Sequence, residues 1–570
     1  MPLPPLAPAP SAAGAADRRA LRALQLGALL VVLAALPWKA FELDRFFVPK
    51  ELVLHLVALA ATLLALRGSA HGSWGGDVTH AGAPAPRSAA LGDPRLADLA
   101  LAAYLALGLA SALAATNPWL AARAFALSAS GAALFWTGRR LAAVGLDRPL
   151  LTTLAAATAL AAATALAQAY GLRSEYFSLN RAPGGTFGNR NFVAHLAAIG
   201  TPLLVLALLR ARAAGGVVVS AAGLAATTAI LVLSRSRGAW LAAGASLLPL
   251  AIGVVRASRL PAGERLPTRR LALAALLPGI GIAAALTLPN RLDWRSGSPY
   301  LDSMKGVVDY RGGSGRGRLQ QYANSARMTA DHPLLGVGPG NWSVRYPRWA
   351  PRGDPSLTPE RLTANPWPSS DWVAVASERG IPALCALAAL VVALLWQAHL
   401  ATWRTADPTR VLLGATLGAT LVATVVVGLF DAVLLLAAPA FIAWPTLGAL
   451  SRASGASPIH GPSVPPSRVW HLAVAVLASA SLVGAARSAT QSAAMSRFVE
   501  GSPAAIARAA RLDPGSYRIR LRAGELAVAG RRCADVRVHA GALVGLYPEA
   551  AAPRRLLATC TPKRRRASVR

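Results

Sequence analysis

Long apolar blocks alternate along this chain with short polar joints, and the blocks lack the polar stripe of a half-buried soluble helix. Blocks of this length read as membrane-crossing helices. Nine precede a long polar segment: about Arg22 to Pro37, Val48 to Leu66, Leu96–Ala115, Leu120–Trp136, Pro149–Tyr170, Phe192–Leu209, Gly216–Leu233, Ala239–Val255 and Leu271–Leu288. Four follow it: Trp372–Trp396, Val411–Phe430, Ala432–Leu450 and Val469–Ala485. The first is read as a retained anchor, because it lacks a clear cleavage site and more spans follow.

The pattern predicts an all-α polytopic membrane protein of about 12–13 transmembrane helices. Residues 1–20 form an N-terminal tail, 21–288 hold helices one to nine, and 289–371 form a large loop. Residues 372–487 hold the remaining spans, and 488–570 form a small helical domain. That tail carries Leu512-Asp513-Pro514 and, at the tetratricopeptide spacing of about 34 residues, Leu546-Tyr547-Pro548. Ala504, Ala509, Ala510, Ala534, Ala540 and Ala542 suit close helix contacts there; a plain helical hairpin fits the same residues.

Composition supports the membrane reading: 54% of residues are hydrophobic and 15% charged. The net charge of +33 raises nucleic acid as a partner, but the arginines sit mainly at block ends, where topology signals lie, so none is expected. With the N-terminus (Arg18, Arg19, Arg22) in the cytoplasm, each inside joint is basic: Arg67, Arg87 and Arg95; Arg139, Arg140 and Arg148; Arg210 and Arg212. Arg256, Arg259, Arg265, Arg269 and Arg270 follow, then Arg404 and Arg410, then Arg452 and Arg468. The long loop and tail then face the periplasm of a bacterial inner membrane. Basic residues on that side need another reason: Arg173–Arg190, Ser234–Arg237 and the long loop. Long segments translocate regardless of charge, which leaves Arg235 and Arg237 unexplained.

The three cysteines form no CxxC pair and no cluster with histidine, which argues against structural zinc. Cys533 begins one predicted tail helix and Cys560 ends the next, antiparallel one, so the pair suits a disulfide in an oxidising compartment. Cys385, inside a span, is read as a small packing residue.

Three outer segments carry candidate chemistry. They are Gly184-Gly185-Thr186-Phe187-Gly188-Asn189-Arg190-Asn191-Phe192, Ser234-Arg235-Ser236-Arg237-Gly238-Ala239-Trp240, and Asp331-His332-Pro333-Leu334-Leu335-Gly336-Val337-Gly338-Pro339-Gly340-Asn341-Trp342. Singly, each reads as a turn or a membrane anchor. Together they offer open backbone, amides and guanidinium forks, which suit phosphate oxygens. A lipid-linked diphosphate is the ligand expected at that depth. Trp294, Tyr300, Tyr310, Tyr322, Trp342, Tyr346, Trp349 and Trp367 supply aromatic faces for sugar rings, or an interfacial belt and loop packing.

These segments resemble the O-antigen ligase and polymerase superfamily, whose members have many spans and one large late periplasmic loop. TFGNRNFVA, SRSRGAWLA, DHPLLGVGPGNW and SSDWVAVASERG are similar to its recurrent patterns, in that order. The resemblance covers about residues 20–450, and several members also resemble this chain in carrying C-terminal tetratricopeptide repeats. It implies glycosyl transfer without metal or cofactor, from a glycan on a polyprenyl diphosphate. The acceptor would be lipid A–core, another glycan or a protein hydroxyl; membrane lipids surround the site, and the tail offers a surface for protein partners. Arg237, then Arg190, then Arg318 would hold the diphosphate, with Arg235, Asn189, Asn191 and Glu378 as further substrate contacts. Ser369-Ser370 stand where the family has His-Asn, so the usual base is missing. Asp371 is read either as the replacement base or as part of a helix N-terminus. His332 is the other candidate base, but it belongs to a loop motif and is read as structural. Glu378, inside a span, is expected to pair with an arginine other than Arg379. The other readings are a non-catalytic membrane scaffold whose tail recruits partners, which the missing His favours, and a transporter, for which spans seven to nine show few mid-membrane polar residues.

Overall fold

A computed structural model describes residues 14–39, 44–69, 94–172, 174–178, 181–260, 267–294, 296–306, 313–454 and 468–560. Arg87, Arg173, Arg265, Tyr310, the tail up to residue 13 and the last ten residues lie outside the described residues. The first half of the bundle is α1 (Ala15–Leu33), α2 (Val48–Ser69), α3 (Pro94–Leu113), α4 (Pro118–Ala143), α5 (Asp147–Ala169), α6 (Arg190–Arg210), α7 (Ala214–Ser234), α8 (Arg237–Arg259) and α9 (Thr268–Thr287). The long loop holds α10 (Pro299–Lys305), α11 (Gly313–Asp331) and α12 (Trp342–Arg345). The bundle resumes with α13 (Asp371–Trp403), α14 (Pro408–Phe430), α15 (Ala437–Leu450) and α16 (Arg468–Glu500). The tail is α17 (Pro503–Leu512), α18 (Tyr517–Ala529), α19 (Cys533–Leu546) and α20 (Ala552–Thr559).

Helix starts follow from local chemistry. Asn117, Asp407 and Ser502 each precede a proline, and their side chains accept backbone N–H groups of the first turn of α4, α14 and α17. Among the described residues ten helices are long and apolar enough to cross a membrane: α2, α3, α5 to α9, α13, α14 and α16. Three expected spans fall short of that standard. The first turns of α1 carry Asp17, Arg18, Arg19 and Arg22; α4 is diluted by arginine, serine and glycine; α15 has 14 residues. α1 and α4 each bury one side in the bundle, and every residue of α15 is buried. α4 and α15 touch through glycine, since a Cβ at Gly138 or Gly448 would collide with the carbonyl oxygens of Pro445 and Phe135. Only Gly281 and Ala285 of α9 are buried, and its exposed Leu276, Ile280 and Leu286 suit lipid.

At the end of the bundle away from the long loop, arginines close helix termini. Arg256 donates to the carbonyls of Thr402 (2.6 Å) and Trp403 (2.8 Å) at the C-terminus of α13. Arg210 pairs with Asp147 (3.1 Å), Arg140 with Asp17 (3.2 Å) and Arg139 with Asp98 (2.5 Å).

α16 runs unbroken to Glu500, so the expected boundary at 487/488 falls inside a helix; its stop is Gly501 (φ 71) before Ser502-Pro503. The tail folds as four helices. Ala509, Ala510 and Ala540 are buried, but Ala504 and Ala534 face outward. Cys533 and Cys560 form a disulfide with Cα atoms 5.6 Å apart. Cys385 lies on the exposed face of α13, contrary to its reading as a packing residue.

Candidate functional site

The first two candidate segments meet. Gly184 and Gly185 donate their N–H groups to Oε1 of Gln168 (2.8 Å each), and one 3-10 turn over Gly185–Phe187 leads into α6. Asn189 caps α6 by accepting the N–H of Asn191 (3.0 Å), so its amide holds the helix start. Asn191 is half-buried in the first turn of α6. Arg190 begins α6, and its guanidinium lies over the Trp294 indole, 5.1 Å from the ring centroid. Arg235 ends α7 with φ 56, and its guanidinium lies over the same indole at 4.8 Å. Arg235 also donates from Nε to Ser303 Oγ of α10 (2.8 Å). Arg237 begins α8 and donates to the carbonyl of Gly306. Among the described residues no carboxylate pairs with Arg190 or Arg235. Two half-buried guanidinium groups thus share one indole.

An acidic corner adjoins this pair of cations. Gly238 lies against Phe430, a Cβ there coming 3.0 Å from Cβ of Phe430, so the Arg237 turn abuts the end of α14. Asp431 follows, with Oδ2 4.0 Å from Nε2 of His195 on α6. Asp371 is 3% exposed; its oxygens accept the N–H groups of Val433 (3.0 and 3.1 Å) and Leu434 (3.0 Å). The helix cap itself is Ser370, which accepts from Val373 N–H (3.4 Å) and donates to the Gly428 carbonyl (3.0 Å). Asp371 therefore straps α13 to the α14–α15 turn. Arg318 is half-buried on α11, where its charge bears on His195. The same helix steadies the start of α13: Gln321 accepts Ser369 N–H (2.7 Å), and Tyr322 donates to the Ser369 carbonyl (2.6 Å).

The third segment docks elsewhere. α13 is interrupted at Gly380 (φ 85, ψ 170), and residues 333–342 enter the break. Val337 and Gly338 donate to the carbonyls of Ser377 (3.0 Å) and Glu378 (2.8 Å), and Ile381 donates to that of Pro333 (2.8 Å). The Glu378 carboxylate accepts the N–H groups of Gly340 (2.8 Å) and Trp342 (3.2 Å), so it latches the loop, and among the described residues it meets no arginine fork. Arg379 points away, donating to Ser128 (2.7 Å) and lying over Tyr104 at 4.8 Å. Asn341 and Asn117 exchange hydrogen bonds (2.7 and 3.1 Å), and Asn117 also reaches the Leu546 carbonyl of the tail (3.1 Å). The aromatics divide accordingly. Trp342, Tyr346 and Trp349 form the loop's own core, where burial and the Asp354 carboxylate push the Tyr346 hydroxyl up to about 12. His332 packs edge-on against Trp349 (5.9 Å). Trp367 packs with Phe47 (5.4 Å) and with Phe192 (6.3 Å), two residues beyond Arg190 on α6.

Four residues of this region lay outside the expectations. Lys50 is 2% exposed and lies 3.7 Å from the Phe187 ring centroid, and Arg45 beside it donates to the carbonyls of Ala35 (3.0 Å) and Tyr176 (2.7 Å). His195 and Asp431 are the others. Each is an ionisable residue in or beside an apolar run, which is the signal that would have found them. Among the described residues no group of three His, Cys, Asp or Glu side chains gathers as a metal site.

A family profile described as O-Antigen ligase matches residues 221–388. The matched stretch holds Arg235, Arg237, Trp294, Arg318, Asp371 and Glu378; Arg190, His195 and Asp431 lie beyond it. It supports a multi-pass membrane protein with a glycosyl-transfer function of the ligase or polymerase kind, with glycan and lipid-linked substrates. No curated protein matches the chain.

Proposed function

We propose that this protein moves a glycan from a polyprenyl diphosphate to a hydroxyl acceptor at the periplasmic face of the inner membrane. The observation that carries this reading is the pair Arg190 and Arg235 on one indole. Like charges brought together without a carboxylate favour an arriving anion, and planar forks match diphosphate oxygens bidentately. Trp294 keeps both guanidinium planes oriented before the ligand binds. Arg237, on the neighbouring helix start, is the third fork. As the glycosyl bond breaks, charge grows on the departing diphosphate, and fixed cations lower the energy of that state. Trp367, Phe47 and Phe192 offer apolar faces beside the forks for sugar rings or the lipid chain. The charge of the opposite end supports the orientation, with Arg139, Arg140, Arg148, Arg210, Arg212, Arg256, Arg259, Arg269 and Arg270 on the cytoplasmic side.

The test is to delete the gene and compare lipopolysaccharide, capsule, free polysaccharide and glycoprotein profiles. One of these is expected to lose its glycan and to regain it from a plasmid copy; four unchanged profiles would overturn the reading. The profile that changes identifies the acceptor class.

A further inference from the structure

We propose that Asp431, with His195 behind it, takes the proton of the acceptor hydroxyl. This rests on the glycosyl-transfer reading above. A hydroxyl that attacks an anomeric carbon has to lose its proton, so the site needs a positioned proton acceptor.

Asp371 is poorly suited to that task, because the backbone amides of Val433 and Leu434 already hold its buried oxygens. Asp431 differs. Its Oδ1 accepts the N–H of Ala432 (2.9 Å), while Oδ2 turns toward His195 and the side chain is 15% exposed. The 4.0 Å between Oδ2 and Nε2 exceeds hydrogen-bond reach, so the imidazole does not take the Oδ2 lone pair that an acceptor hydroxyl needs. Nδ1 of His195 is buried and has no hydrogen-bond partner among the described residues. A buried orphan of this kind costs about 1–3 kcal/mol, which a purely structural histidine would not retain without return. The charged groups that bear on the pair are Arg318 from α11, which faces the imidazole, and Asp371 from α13, which faces Asp431. The contact of Gly238 with Phe430 sets this corner beside the Arg237 turn that holds the leaving group.

The step balances without a further reactant. The acceptor O–H bond breaks and its proton passes to Asp431. The freed oxygen bonds to the anomeric carbon. The bond from that carbon to the diphosphate oxygen breaks, and its electron pair leaves with the polyprenyl diphosphate. The proton then returns to water. Asp431 touches the acceptor; His195 is a positioning residue that stabilises the carboxylate.

The experiment uses full-length protein in membrane vesicles of the deletion strain, with a synthetic polyprenyl-diphosphate oligosaccharide as probe donor. Donor binding, and transfer to the endogenous acceptors as a function of pH, are both measured. Asp431→Asn is expected to lower turnover by about 10²- to 10⁴-fold with donor binding retained. His195→Asn is expected to lower turnover less, to leave the donor KM unchanged and to move the acid limb of the profile to higher pH. Asp431→Asn that transfers within about threefold of wild type overturns the proposal, as does His195→Asn with an unchanged pH profile. Where Asp431→Asn does not accumulate, the His195→Asn profile decides alone. Wild-type vesicles that neither bind nor transfer the donor overturn the glycosyl-transfer reading itself.

Discussion

Arg190 and Arg235 come from helix ends 45 residues apart, yet both planes rest on Trp294. The indole is therefore as important to the site as either cation. Trp294→Ala is expected to weaken donor binding by about tenfold, two cation–π contacts being worth about 1 kcal/mol or more together, with the protein still at normal abundance. An unchanged donor affinity would show that the stacking has no part in recognition. The arginine segments were legible because basic residues at the wrong end of a span contradict the topology pattern. Asp431 and His195 carried only the signal of single ionisable residues in or beside an apolar run, and their pairing comes from the fold. Glu378 was legible as a costly intramembrane carboxylate, but its partners are backbone amides, which no side-chain pattern announces.

Among elements, α13 has a form that the sequence hid. A run as apolar as Trp372–Trp396 reads as one straight helix, whereas the structure breaks it at Gly380 to admit residues 333–342. The loop motif and the SERG motif are thus two halves of one joint. Gly380 has φ 85, and a Cβ there would collide with the carbonyl oxygen of Leu334. Gly380→Ala is expected to cost about 3 kcal/mol and to lower the thermal unfolding temperature in detergent; an unchanged melting curve would contradict the joint. In the tail, Cys533 and Cys560 join the start of α19 to the end of α20. Non-reducing peptide mapping is expected to recover the pair linked, and Cys560→Ser to destabilise the tail by about 2–4 kcal/mol. Recovery of both thiols alkylated in native protein would refute the linkage. The helix count along α16 was legible; its continuation to Glu500 was not, because nothing between the apolar block and Gly501 marks where membrane ends and stalk begins.

At the scale of the molecule, the long loop, the tail and the arginine forks share one end of the bundle, and helix-capping arginines crowd the other. Asn117 ties the long loop and the tail to the α3–α4 turn, through Asn341 and the Leu546 carbonyl. The orientation is tested by reporter fusions: a periplasm-dependent reporter fused after residue 560 is expected to be active, and one placed between α8 and α9 inactive. The reverse pattern would invert the site and remove its access to the proposed donor. The all-helical, many-span class was legible from block length alone, because lipid leaves the backbone few alternatives. The half-buried α1 and α4 and the wholly buried α15 blurred the count, since residues shielded by protein need not be apolar enough for lipid.

The central claim is that the forks on Trp294 hold a diphosphate while its glycan is transferred. Its most direct measurement is transfer of a polyprenyl-diphosphate-linked oligosaccharide in vesicles containing wild-type protein or Arg235→Ala. Wild type is expected to transfer the glycan, and Arg235→Ala to be slower by about a hundredfold or more at equal abundance. Equal rates in the two preparations would contradict the account.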